Sequence, residues 1–201
     1  MNAIIIFIKN PVLGTAKTRL AEEVGDERAL KIYKSLLMYT RTVSSMVHAQ
    51  RYLYYSSEII DDEWSPETFH KKVQSGNDLG ERMANAFKDL TSAHDKVVII
   101  GSDCPQLDLM TISSAFRALD EHDHVIGPSK DGGYYLFGMK EYDPSVFEEM
   151  TWSTSSVCEE TIKRIKAKNK TYKLLQVLSD IDYKEDWDNY GWELTEISSV
   201  T

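Results

Sequence analysis

The residue types best suited to chemistry lie in short loops. The first loop follows the apolar start of "IIIFIKNPVLGTAKTRL", Ile4 to Leu20, where Lys9 precedes Gly14 and Lys17 and Arg19 follow it. A glycine without a Cβ lets the backbone approach a nucleotide, and neighbouring cations can then meet its phosphates through charge-assisted hydrogen bonds. Two familiar phosphate loops are excluded. A Walker A loop needs a glycine directly before its lysine, and Ala16 stands there. The dinucleotide pattern needs three glycines, and Gly14 stands alone. The plain alternative is a solvated turn whose cations bind nothing.

Acids supply the complementary set. Asp103 sits in "GSDCP" directly after an apolar run, on a loop opened by Gly101 and stiffened by Pro105. There it can hold a hard divalent cation through oxygen, or cap its own loop. Asp131, in "KDGGYY", can accept a hydroxyl proton beside a sugar or base, or close a hairpin turn. Asp180 and Asp182 flank Ile181 after an apolar segment. Strand alternation would aim both carboxylates to one side, toward a shared cation or a solvated edge. Cys104 has no histidine near it to activate its thiol and is read as packing. His122 and His124, in "DEHDHV", stand before a strand, away from these loops, and receive no role.

The elements that must position these residues alternate along the chain. Strand-like runs cover Ile4–Ile8, Arg51–Tyr55, Phe69–Gln74, Val97–Ile100, His124–Ile126, Tyr134–Met139 and Tyr172–Val177. Between them, Ala29, Ile32, Tyr33 and Leu36 follow helical spacing after a cap at Asp26, as do Ile112, Ala115, Phe116 and Leu119 after Asp108. This alternation predicts an α/β three-layer sandwich with a mostly parallel central sheet. In such sheets ligands bind outside the carboxyl ends of the strands, which is where the unusual loops fall. The acidic stretch "SSEIIDDEWSPETF" reads as a surface loop, so one domain over 1–201 is expected.

Bulk composition narrows the partners. With 42% hydrophobic and 27% charged residues the chain has the make-up of a globular protein, and no apolar run reaches the length of a membrane helix. A net charge of −9 opposes binding to nucleic acid or anionic membrane, while leaving room for a small phosphorylated ligand where cations are local. Two well-separated cysteines and no secretory leader point to the cytoplasm.

Taken together, "IKNPVLGTAKTRLA", "QSGNDLGERM", "GSDCPQL", "GPSKDGGYYLFGM", "WSTSSV" and "SDIDYKEDW" resemble, in this order, the nucleotide-diphospho-sugar transferase superfamily. Within it the chain resembles the glycosyltransferase-like family called domain of unknown function 2064, some members of which carry an arsenosugar-biosynthesis label. Molybdenum-cofactor and phospholactate guanylyltransferases are more distant relatives. The resemblance implies a GT-A-like fold and a transferase using a nucleotide-sugar or a nucleotide, with a small-molecule acceptor. It implies a nucleotide-binding set of Gly14, Lys17, Arg19, Gly76 and Arg82, and Mg2+ or Mn2+ on Asp103 with Asp182, or Asp180, as second acid. Asp103 and Asp131 are then the candidate catalytic residues. One departure stands out: the Asp-any-Asp pair of typical sugar transferases is absent, and Ser102 and Cys104 flank a single Asp103. Exchanging Asp103 for Asn is expected to weaken metal-dependent binding while sparing the fold.

Overall fold

The computed structural model describes residues 1–194. The apolar run after the N-terminus forms β1 (Asn2–Ile8), which pairs in parallel with β2 (Gln50–Tyr55) on one side and β4 (Lys96–Ile100) on the other. Sheet order is β3-β2-β1-β4-β6-β5-β7, adding β3 (His70–Val73), β5 (His124–Pro128), β6 (Tyr134–Met139) and β7 (Tyr172–Leu174). Only β6 runs against the rest, paired antiparallel with both β4 and β5. The expected mostly parallel α/β sandwich is therefore the fold observed.

Why β1 reads as unbroken aliphatic residues follows from its two buried faces. Ile4, Ile6 and Ile8 pack on one side with α2 (Asp26–Ser45) and α4 (Leu109–Glu121), through Tyr33, Leu37, Ile112 and Phe116. Ala3 and Ile5 face the other side, with Met83 and Phe87 of α3 (Leu79–Thr91) and Ile165 of α5 (Val157–Ala167). A third, smaller cluster joins Leu20 of α1 (Thr18–Val24), Ile32 and Leu36 of α2, and Trp187 of α6 (Lys184–Tyr190) around Ile181.

Two helix starts test the expected caps. Asp108 does cap α4, accepting a hydrogen bond from Thr111 N at 2.7 Å. Asp26 does not cap α2. It is the first helical residue, where its charge favours the dipole, and Gly25 at φ 83° takes the cap position because it also ends α1. The acidic stretch after β2 is tied down rather than loose: Asp62 accepts from Lys71 Nζ at 2.7 Å and Tyr55 OH at 2.8 Å, and Trp64 is buried.

The turn between β5 and β6 depends on Gly132, whose φ of +91° disfavours any side chain and whose added Cβ would lie 2.0 Å from Ser155 O. This close approach lets the Gly132 carbonyl accept a bond from Cys158 N at 2.9 Å, joining the turn to the start of α5. Gly132→Ala is expected to cost about 2 to 4 kcal/mol, from backbone strain and overpacking together. Thermal unfolding of the variant against the parent checks this.

Candidate active site

Six of the seven strands point their carboxyl ends to one edge, and β6 begins there. The loops after β1, β4 and β7 meet at that edge. The β1 loop is fixed at its base by the Tyr33 hydroxyl, which accepts from Lys9 N at 2.8 Å, donates to Lys9 O at 3.0 Å and lies 3.2 Å from Ser102 Oγ. One buried hydroxyl on α2 therefore sets the spacing between the loops after β1 and β4. Asn10 secures the other side, donating to Glu58 O at 2.8 Å and accepting from Ser57 N at 3.1 Å.

Beyond the turn at Gly14, the chain buries Ala16 and then places Lys17 in the left-handed region, φ 55°, ψ 49°. This bend turns the Lys17 side chain inward until only 7% of it is exposed. Its Nζ donates to Asp103 Oδ2 at 2.8 Å and to Asp182 Oδ1 at 3.3 Å. Arg19, more than half exposed, lies on the outer oxygen of Asp182, with Nη1 to Oδ2 at 3.4 Å. The late acids are not carried on a strand, as alternation had required: β7 ends at Leu174 and they lie in the segment after it. Asp182 is brought to the cluster instead by Ile181, which is fully buried beside α1, α2 and α6 and donates its N–H to Asp103 O at 2.9 Å.

Electrostatics within the cluster are lopsided. Burial works against the Lys17 ammonium, yet the charges of Asp103, Asp182 and Asp180 outweigh it and hold its pKa above the ordinary lysine value. Asp103 also suffers desolvation, but Lys17's charge and hydrogen bond keep its carboxyl below the usual range. Asp180 goes the other way. Burial, then the neighbouring charge of Asp103, push it well above the usual range, and its buried Oδ1 has no hydrogen-bond partner. Asp103 and Asp180, neighbours in one cluster, are thus shifted in opposite directions.

The remaining expected site residues are less central. Asp131 shares the edge, and its charge raises Asp180. Its Oδ1 closes the turn by accepting from Ser129 Oγ at 2.6 Å and Gly133 N at 2.9 Å. Arg82 spends Nε on Gly76 O at 3.1 Å and Nη1 on Gln74 Oε1 at 3.5 Å, so these contacts brace the loop after β3 and none reaches Lys17. Cys104 is buried and its thiol pKa is raised by that burial, in keeping with packing. Among the described residues no three His, Cys, Asp or Glu side chains form a metal-holding group. Asp103 and Asp182 meet through the lysine between them. A groove of 830 Å³ between α3 and α5, lined by Asn85, Phe147 and Arg164 among others, includes none of the Lys17 cluster.

Tyr33 and Asn10 were not legible as site residues. Tyr33 shows in the sequence only as one member of a helical apolar stripe, and its hydroxyl contacts depend on two loops far away in the chain.

Comparison with known proteins gives a consistent picture. The family model described as "Uncharacterized protein conserved in bacteria (DUF2064)" matches residues 39–154. A protein of known structure from Desulfovibrio desulfuricans G20, provisionally assigned as a nucleotide-diphospho-sugar transferase, is 30% identical with a TM-score of 0.84. The match covers 90% of this chain and 82% of that one. The inositol-1-phosphate CTP transferase from T. maritima shares the fold at 16% identity and a TM-score of 0.63, over 92% of this chain and 91% of its own. So does the 4-diphosphocytidyl-2C-methyl-D-erythritol synthase from Anaerococcus prevotii DSM 20548, at 14% identity and a TM-score of 0.59, over 95% and 94%. No match is found among the curated proteins. No helix of the described residues is long and apolar enough to cross a membrane.

The Lys17 contact changes what Asp103→Asn should do to the fold. The substitution removes the charge that compensates a buried ammonium, so the fold is not spared. Breaking a sealed pair costs about 3 to 5 kcal/mol, and the partial exposure of Asp103 reduces this to about 1 to 3. Because the folded pKa of Asp103 is depressed, its contribution is present above the unfolded value of 3.8 and is lost as pH falls through the lower folded value. Urea unfolding should show the parent ahead of Asp103→Asn at pH 7, with the gap closing below about pH 4.

Proposed function

The chain belongs to the DUF2064 family of bacterial proteins, and on that premise we propose that it is a metal-dependent transferase taking its group from a nucleotide-sugar donor. The observation that carries this reading is the meeting of Lys17 and Arg19 with Asp103 and Asp182, from three separate loops, at the carboxyl edge of the sheet. The provisional assignment of the Desulfovibrio desulfuricans protein supports the donor class.

Transfer from a diphosphate-linked donor needs chiefly positioning and charge stabilisation, which cations and acids on rigid loops supply without a serine or cysteine nucleophile. Arg19, exposed and only weakly engaged, is free to take a phosphate oxygen, and Gly14 leaves the loop open for close approach. Asp131 keeps Oδ2 outside its turn bonds and is assigned to the acceptor hydroxyl, a small molecule in keeping with the negative net charge. Asp103 and Asp182 would hold Mg2+ or Mn2+. The residues fit that role: magnesium sites commonly use one or two carboxylates completed by water and substrate phosphates, so a third ligating acid is not needed. When bound, the cation would neutralise the charge that develops on the leaving diphosphate.

Nucleotidyl transfer from a nucleoside triphosphate is the second reading. It is favoured by Asp103 and Asp182 coming from different loops, in place of an adjacent acid pair on one loop.

Incubation with nucleotide-sugars and nucleoside triphosphates, each with Mg2+ or Mn2+, separates the possibilities by product. Release of nucleoside diphosphate supports glycosyl transfer and release of pyrophosphate supports nucleotidyl transfer. Saturable binding with neither product would assign the chain to nucleotide binding alone. With the best-binding nucleotide, Arg19→Ala should weaken affinity about tenfold in calorimetric titration, the loss of one charged contact. Its stability should stay within about 0.5 kcal/mol of the parent, since the exposed ion pair contributes little.

A further inference from the structure

Lys17 lies where a cation shared by Asp103 and Asp182 would be expected. Its ammonium is 2.8 Å from one carboxylate and 3.3 Å from the other, and its side chain is almost fully buried. We infer that Lys17 and a divalent cation compete for Asp103 and Asp182, so that the lysine serves as a built-in counter-ion which must leave before the cation is taken. The inference rests on assigning those two acids to the cation, as in the preceding reading.

Three observations support competition over simple coexistence. First, the lysine approaches both acids, using Asp103 Oδ2 and Asp182 Oδ1, while Arg19 lies on the remaining oxygen of Asp182. Both ends of the Asp182 carboxylate are thus engaged by cationic side chains. Second, Asp180 Oδ1 is buried beside this group with no hydrogen-bond partner, so the edge holds an acceptor that neither cationic side chain satisfies. Third, Lys17 is held inward by a left-handed backbone, φ 55°, that a lysine seldom adopts. Its inward pose is therefore imposed by its neighbours and is open to reversal once their charge is met by another ion.

Displacement would have a second effect. A Lys17 ammonium released from the acids is free to turn to the phosphates of a nucleotide at the same edge. Cation and nucleotide would then bind cooperatively, each removing part of the other's cost, and the coupling must be equal in both directions.

The test is made without nucleotide, which keeps it independent of the transferase reading. Mn2+ is titrated calorimetrically into the parent and into Lys17→Met, which keeps most of the length of the unbranched side chain without its charge. Removing the competitor should tighten Mn2+ binding about tenfold or more, the worth of a charge-assisted contact. Equal or weaker binding by Lys17→Met, or no Mn2+ binding by either protein, overturns the inference. If the variant does not fold, the parent alone decides the matter. Lys17 is labelled with an amine-acylating reagent, and its peptide is quantified by mass spectrometry with and without saturating Mn2+. Competition predicts markedly higher labelling with Mn2+, whereas unchanged or lower labelling overturns it. A transferase that releases its product with Mg2+ yet fails both measurements would retain its function and lose only this inference.

Discussion

A buried ammonium costs several kcal/mol unless carboxylates meet it, and Lys17 is met by two that lie 86 and 165 residues further along the chain. This pairing constrains the whole edge. It requires the β1 loop to bend inward at a left-handed residue, the β4 loop to present Asp103 and the segment after β7 to return across the sheet. None of these is a local preference. Each is held by contacts of residues beside the charges: Ala16 in the main core, Tyr33 bridging two loops, and Ile181 enclosed by α1, α2 and α6.

Strand direction explains why such distant segments can converge. With six strands parallel in direction, their carboxyl ends all open to one side, and the helices after β1, β3 and β4 carry the chain back to start again. The reversed strand β6 adds to this edge, because the turn that enters it leaves from the carboxyl end of β5. Asp131 reaches the same region by that route, with Gly132 allowing the turn to press against the start of α5.

Much of the frame was legible from residue patterns because burial on two faces leaves an unmistakable mark. The aliphatic run in β1 and the helical stripe in α4 needed no tertiary information, and Asp108 was recognisable as a cap from its position before that stripe. Strand ends were less legible. Leu175 to Val177 continue an apolar pattern but leave the ladder, and Gln74 extends β3 in sequence while its side chain bonds across to Ile8 O and Tyr54 O. That Lys17, Arg19, Asp103 and Asp182 lie in loops at one edge could be read from the sequence, yet their partners could not. A lysine after a glycine looks the same whether it faces phosphate or an internal carboxylate, and only the tertiary contacts distinguish the two. The state of Asp180 was hidden for the same reason, since its burial depends on what folds over it.

Ile181 gives the assembly an order in time. During synthesis β1 and the loop bearing Lys17 emerge first, Asp103 follows much later, and the segment carrying Asp182 emerges last of the three. The sheet from β1 to β4 can begin to gather while the ammonium is still in water, because domains form as their contacts become available to the growing chain. Only when Ile181 enters its pocket beside Leu20, Ile32 and Trp187 is the second carboxylate delivered. The edge that carries the charge cluster is therefore completed by a segment that appears after all seven strands of the sheet, so a nascent chain lacking that segment lacks the finished cluster.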